Sequence, residues 1–422
     1  MTGYETEMFV LDENGRLSDA DMLLKKAKTL PVQKECSRNM IEVACLPARR
    51  LNTSSKYLVD NLTELGEIAH TNGNALFPFG TYFGKNNPQL RRKNWYTVQK
   101  KILGEENFIN AGKCCGFHQH YTLPRGIYDK KAQFINYRTN SKINKSLIDS
   151  YNFLNAADPV FTTLTQSSPF VDNTLIAKDA RMILYRGGKT LKNPLAVYAK
   201  QPIFGGLSPY KSTIRDLMST LRRRHQKWKS LMIENKADHS RYINSTNILN
   251  FTWNPVKINP KGTLEYRGSD MNFLSTLFGM STMLKFSLRA IQQDNLIVTP
   301  ADIGPEDAFR VEENMVFIPP FATVNIQLQR KAAYEGLSND DVYTYVKRCY
   351  RFVKERSHDD YAPFLKNVRN MLDERKTMSD TIIEYFKKRG YDDEIPAKVA
   401  EEAALHFSEK FMHDLKQLSW IQ

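Results

Sequence analysis

Apolar and polar residues alternate from Tyr4 to Leu11, and this period of two predicts a strand with Glu5 and Glu7 on one face. Behind Ser18, placed as an N-cap, the residues up to Thr29 recur at helical spacing, and Asn39 to Leu46 returns to strand before Pro47. From Ser54 to His70, Leu58, Leu62, Leu65 and Ile68 share one helical face, and Gly73 follows as a stop. Asn144 to Thr165 predicts a second long helix, bent or broken near Pro159. Further strands are predicted at Gly116 to Thr122, Asn247 to Trp253 and Thr263 to Arg267. After Arg330 the pattern turns helical: Asn339 to Arg356 behind Ser338, Asp380 to Arg389 before Gly390, and Ala397 to Leu415 after Pro396. No internal repeat or low-complexity linker divides the chain. The fold class is therefore α+β, with residues 1–330 as one interwoven unit and 331–422 as a C-terminal helical extension packed on it.

Composition narrows the class. The 422 residues are 41% hydrophobic and 25% charged, enough for one large core or two, and far from a disordered profile. No run of about eighteen apolar residues occurs, and the opening Met-Thr-Gly-Tyr-Glu-Thr-Glu lacks the basic-then-apolar order of a signal peptide, so a cytoplasmic protein with no membrane partner is expected. Cys36, Cys45, Cys114, Cys115 and Cys349 show no CxxC spacing and read as reduced, mostly buried residues. A formal charge of +14 asks for an anionic partner. The densest basic run, Arg222, Arg223, Arg224, His225, Lys227 and Lys229 around Trp228, reads as a solvated helix face, and no aromatic-basic RNA-binding signature accompanies it. The charge alone does not choose among nucleic acid, a membrane surface and small substrates bearing phosphates and carboxylates, but the missing signature disfavours nucleic acid, and a homodimer is left open.

Candidate chemistry lies where acids and imidazoles interrupt strands that otherwise read as buried. Glu5 and Glu7 project from one face, and two like charges so placed repel unless a cation lies between them. Glu42 interrupts Met40-Ile41-Glu42-Val43-Ala44-Cys45, where a carboxylate must be paired or metal-bound to offset its desolvation. His118 and His120 repeat the two-residue spacing, as do Glu265 and Arg267. Taken singly, each has an ordinary reading as a salt bridge or a satisfied core histidine. Four strands offering such groups are harder to explain so. Carboxylates outnumber imidazoles and cysteine is absent from the set, which favours Mg²⁺ or Mn²⁺ over zinc. Clustered divalent ions suit nucleotide-dependent phosphoryl transfer, and with no GxxxxGK[ST] in the chain a triphosphate would be held by metals and arginines.

Gly3-Tyr4-Glu5-Thr6-Glu7, Glu35 with Glu42, Cys115-Gly116-Phe117-His118-Gln119-His120, Ser167-Ser168-Pro169-Phe170, and Thr263-Leu264-Glu265-Tyr266-Arg267 with Asp270 together resemble the glutamate-cysteine ligase type 2 family of carboxylate-amine ligases, in order, over residues 3 to about 290. The resemblance implies a glutamine-synthetase-like fold, an antiparallel sheet curved around metal ions and ATP. It implies Glu5, Glu7, Glu42 and Glu265 as metal ligands, with Glu35 and His118 as further members. It also implies Glu5, His120 and Arg267 on the nucleotide side, Arg267 over the transferring phosphate, and Arg181 and Arg186 on the acidic substrate or phosphate. The sequence departs from the family pattern at His-Gln-His-Tyr, where His-Val-His-Val is commoner, and at Tyr82, where many members have histidine. The implied reaction is ATP-dependent amide formation through an acyl phosphate, with glutamate and cysteine its most familiar substrates. It requires no enzyme nucleophile, so Ser167, Ser168, Cys114 and Cys115 read as packing or turn residues. A phosphotransferase of guanidino-kinase type, or an inactive binding protein of the same fold, are the alternatives.

Overall fold

Seven strands, β1 (Thr2–Asp12), β2 (Val32–Lys34), β3 (Met40–Ala44), β4 (Asn74–Phe77), β5 (Gly116–Thr122), β6 (Val256–Asn259) and β7 (Thr263–Asp270), make one sheet in the order β6-β7-β5-β1-β3-β2. β4 lies beside the far end of β1, and every pairing in the sheet is antiparallel. The structure, a computed structural model, describes residues 1–132, 134–136, 141–237, 248–251, 253–358 and 361–421.

The pleat sorts residues to two faces. Tyr4, Met8, Ile41, Val43, Phe117, Leu264 and Tyr266 point to the back, where all are buried. There they meet α1 (Lys142–Thr165) and α2 (Leu274–Gln292): the Tyr4 ring lies 6.0 Å from Phe278 and the Tyr266 ring 5.2 Å from Phe161. The front face is polar near the start of β1 and turns apolar beyond Glu7. Phe9 packs on Phe77, and Phe77, Phe79 and Phe83 continue to Phe386 and Phe407 of the helices Met378–Lys387 and Ala397–Gln417. These C-terminal helices thus close one end of the front face, and their side chains share a single core with Met8, Leu62 and Phe278. Among the described residues no helix is long and apolar enough to cross a membrane.

Several predicted elements shift. The helix expected over Ser18 to Thr29 shrinks to Asp21–Lys26. α1 is continuous through Pro159 rather than broken there, and its second half is buried throughout. The strand expected from Asn247 to Trp253 is replaced over Ile248–Asn250 by a 3₁₀ turn, with Asn247 and Thr252 outside the described residues, and the strand itself comes at β6. Asn339, not Ser338, caps the helix Asp340–Lys354, its side chain accepting from the backbone of Asp341 and Val342. All five cysteines are free thiols.

Candidate active site

Register brings the predicted residues onto one face. Glu5 stands opposite His118 and Glu7 opposite Glu42. Glu265 stands opposite both His120 and Lys257, and Gln33 opposite Glu42. Across a sheet, residues directly opposite share a face, so six strands contribute side chains to one polar patch.

Within it the potential ligand atoms form two separate groups. Glu5, His120 and Glu265 bring one atom each to within 4.8 Å of one another, and so do Glu7, Glu35 and Glu42. His118 sits between the groups, with Nδ1 3.6 Å from Glu5 and Nε2 3.6 Å from Glu7. It is the bridge of the patch rather than a member of either group. His120 takes its place in the first group, on better terms for a ligand. Its Nδ1 lies 2.8 Å from Thr263 Oγ1, which leaves Nε2, buried and without a hydrogen-bond partner among the described residues, 3.4 Å from Glu5. A hydrogen-bonded Nδ1 with a free Nε2 is the arrangement a ligating imidazole adopts. Glu7 is fixed from behind by the backbone N–H of Gly116 at 2.7 Å, and Glu42 accepts from the Gln33 amide.

The electrostatics fit cations. Burial, then the charges of Glu7 and Glu42, pushes Glu35 up to about 8. Burial, then Glu5 and Glu7, pushes Glu42 up to about 7. Burial also acts to raise Glu265, but Lys257 and Arg267 outweigh it and hold that carboxyl well below the usual range. His118 is kept towards its neutral form by burial and by Arg267. Three crowded carboxylates, and two more with an imidazole, are hard-donor sets suited to Mg²⁺ or Mn²⁺.

The arginines fall into different places. A break in the β7–β5 register between Tyr266 and Ser269 leaves the carbonyls of Arg267 and Gly268 unpaired in the ladder, and the Arg181 guanidinium donates to both. Arg267 reaches from this bulge to Glu265, at 2.5 Å, in the middle of the patch. Arg181 lies over Gly116, where an added Cβ would come within 2.2 Å of its guanidinium; burial acts to lower its pKa, but the charges of Asp270 and Glu7 outweigh it and keep the group protonated. Arg186 is elsewhere. It forms a two-pronged pair with Asp158, at 2.6 and 2.8 Å, and donates to Gln329. Tyr266, a back-face residue, also donates to Asp158, so Arg186 lies behind the sheet and away from the acids. Against the expectation that it contacts substrate, its donors are committed inside the core.

Ser167 and Ser168 serve the backbone: Ser167 donates to Met271 and accepts from Gly80, and Ser168 accepts from Arg181 N–H. Asp270 ends β7 and accepts from Ser167 N–H. Gln33, Lys257, Asn259 and Lys261 were absent from the predicted set. Asn259 donates to Glu265 at 2.6 Å and Lys261 to Glu5 at 2.8 Å. The alternation Val256-Lys257-Ile258-Asn259 is the signal that marks two of them.

No family model and no curated protein matches the sequence. Solved structures do resemble it. A bifunctional glutathione synthetase from Pasteurella multocida superposes with a TM-score of 0.60 at 11% identity, over 97% of this chain and 51% of that one, so this chain spans about half of the bifunctional protein. Glutamate–cysteine ligase from Francisella tularensis, in complex with AMP, superposes with a TM-score of 0.56 at 15% identity, over 99% of this chain and 91% of that one. The chain thus has the α+β, glutamine-synthetase-like fold that such ATP-dependent carboxylate-amine ligases share, a large antiparallel sheet backed by helices and followed by C-terminal helices.

Proposed function

We propose that this protein is an ATP-dependent carboxylate-amine ligase that makes an amide through an acyl phosphate, with glutamate and cysteine as the first substrate pair to test. The observation that supports this most is the pair of acid groups on one sheet face with Arg267 of β7 reaching into the middle of them. Binding of AMP by the similar Francisella ligase adds to the case for a nucleotide.

Glu5, His120 and Glu265 would hold one divalent ion, and Glu7, Glu35 and Glu42 a second. Such ions, when bound, neutralise the charge of the triphosphate. The residues of the chain do the rest. Arg267, charged and only partly exposed, offers a planar fork to the phosphoryl group in flight and to the acyl phosphate it forms. Arg181, anchored on the bulge carbonyls, places a second positive charge at the Glu7 end, where the acidic substrate would lie. The reaction balances without an enzyme nucleophile. A carboxylate oxygen bonds to the γ-phosphorus as ADP leaves; the amine nitrogen then bonds to the acyl carbon, phosphate leaves, and the nitrogen sheds a proton.

The test is phosphate release with ATP, Mg²⁺ and a matrix of amino-acid pairs. Release that needs both a carboxylate and an amine supports the ligase. A phosphorylated single substrate points to a phosphotransferase instead, and no turnover with any pair, with nucleotide still bound, points to a binding protein.

A further inference from the structure

We infer that Lys257 is a phosphate-contacting residue, its ammonium set to meet the γ-phosphoryl oxygens of a bound nucleoside triphosphate. The inference rests on the nucleotide reading given above and adds to it a residue that none of the family motifs contains.

Lys257 owes its position to the two-residue period of β6. Val256 and Ile258 are buried towards the helices, which sends Lys257 and Asn259 to the acid face. In the ladder Lys257 stands directly opposite Glu265. Its side chain is only 12% exposed, yet its Nζ lies 3.7 Å from Glu265 Oε2, outside hydrogen-bond distance, and no other ion pair to it is made by a described residue.

A buried ammonium needs partners for three N–H donors, and Glu265 is an incomplete one. Both Glu265 oxygens are already engaged, Oε1 by Arg267 and Oε2 by the Asn259 amide at 2.6 Å. Lys257 therefore offsets the Glu265 charge at a distance, without a hydrogen bond to it. Lys261, one turn further on, shows the contrast. It is 68% exposed and satisfied by Glu5 Oε1 at 2.8 Å. Lys257 is instead mostly buried, beside the first acid group and on the same strand pair as Arg267, and no side-chain hydrogen bond among the described residues holds its ammonium. A tetrahedral group with several anionic oxygens is the ligand whose chemistry completes it. Arg267 and Lys257 would then flank that group, one as a fork and the other as a point charge. As the carboxylate oxygen bonds to the γ-phosphorus and the bond to the β–γ bridging oxygen breaks, Lys257 makes no bond and gives up no proton.

The experiment is calorimetric titration of the full chain with Mg·ADP and with the non-hydrolysable triphosphate analogue Mg·adenylyl imidodiphosphate. For Lys257→Met, affinity for the triphosphate analogue falls at least tenfold while that for ADP stays within twofold, and Lys257→Arg restores the analogue to within about threefold of the parent. Lys257→Met still leaves Glu265 bonded to Arg267 and to Asn259, so the variant folds and its retained ADP affinity reports an intact site. Equal loss for both nucleotides, or no loss for either, overturns the assignment and leaves Lys257 as an accessory counter-ion. A parent that binds neither nucleotide overturns the nucleotide reading itself, and is told apart because it appears before any substitution.

Discussion

Replacing Glu42 by glutamine should separate the energetics of the acid face from its chemistry. In the metal-free protein Glu42 is 8% exposed and its carboxyl is pushed from the usual 4.5 up to about 7, by burial first and then by Glu5 and Glu7. A folded-state pKa above the unfolded one means that the folded chain binds more protons over this window. The stabilising contribution is therefore complete below pH 4.5 and is lost as pH rises through 7. At 1.36 kcal/mol per unit, the loss reaches about 3 kcal/mol at pH 8.5 and about 1 kcal/mol at pH 5.5. Glutamine does not ionise and keeps the steric fit, so with chelator present Glu42→Gln should gain about 2 kcal/mol on the parent between pH 5.5 and 8.5. Added Mg²⁺ should reverse the order, because a cation bound only by the folded parent stabilises it by mass action. Urea unfolding at the two pH values, with chelator and with Mg²⁺, reads all four terms. If the parent and Glu42→Gln differ by the same amount at both pH values and respond alike to Mg²⁺, Glu42 is an ordinary paired acid and the cation reading of the second group fails.

Two further outcomes separate front from back. Arg267→Lys should lower kcat about a hundredfold with a smaller change in KM for ATP, since an ammonium lacks the fork that spans phosphate oxygens; steady-state kinetics within a few-fold of the parent would remove Arg267 from the chemistry. Arg186→Met should instead destabilise the fold by about 3–5 kcal/mol, by leaving Asp158 charged and unpaired in the core. A parent-like urea midpoint with lost turnover would return Arg186 to the substrate site.

The acid face was legible because a period of two is unambiguous. Glu5 with Glu7, His118 with His120, and Glu265 with Arg267 each had to share a face once their segments were read as strands. Which strands pair was not legible, and pairing is what divides the acids into two groups. His120, placed opposite Glu265 by the β7–β5 register, enters the first group while His118 falls between them, a distinction that spacing alone does not carry. Arg186 shows the opposite limit. A guanidinium after a serine-rich turn reads the same from sequence whether it faces substrate or core; the sign of its fate is Asp158, an acid inside the fully buried second half of α1. Lys257 lay in a four-residue alternation overshadowed by the aromatic run just before it, where burial of Trp253 and Phe251 in a local cluster replaced the strand expected there.

Equilibrium titration with Mn²⁺, followed by the electron-spin-resonance signal of the free ion in the presence of ADP, tests the central claim most directly, because it needs no knowledge of the amino-acid substrates. Two bound ions per chain are predicted for the parent. Glu42→Gln should lose the ion held by Glu7, Glu35 and Glu42, and Glu5→Gln the one held with His120 and Glu265. A parent with no saturable Mn²⁺ binding, or substitutions that leave both ions in place, would contradict the account.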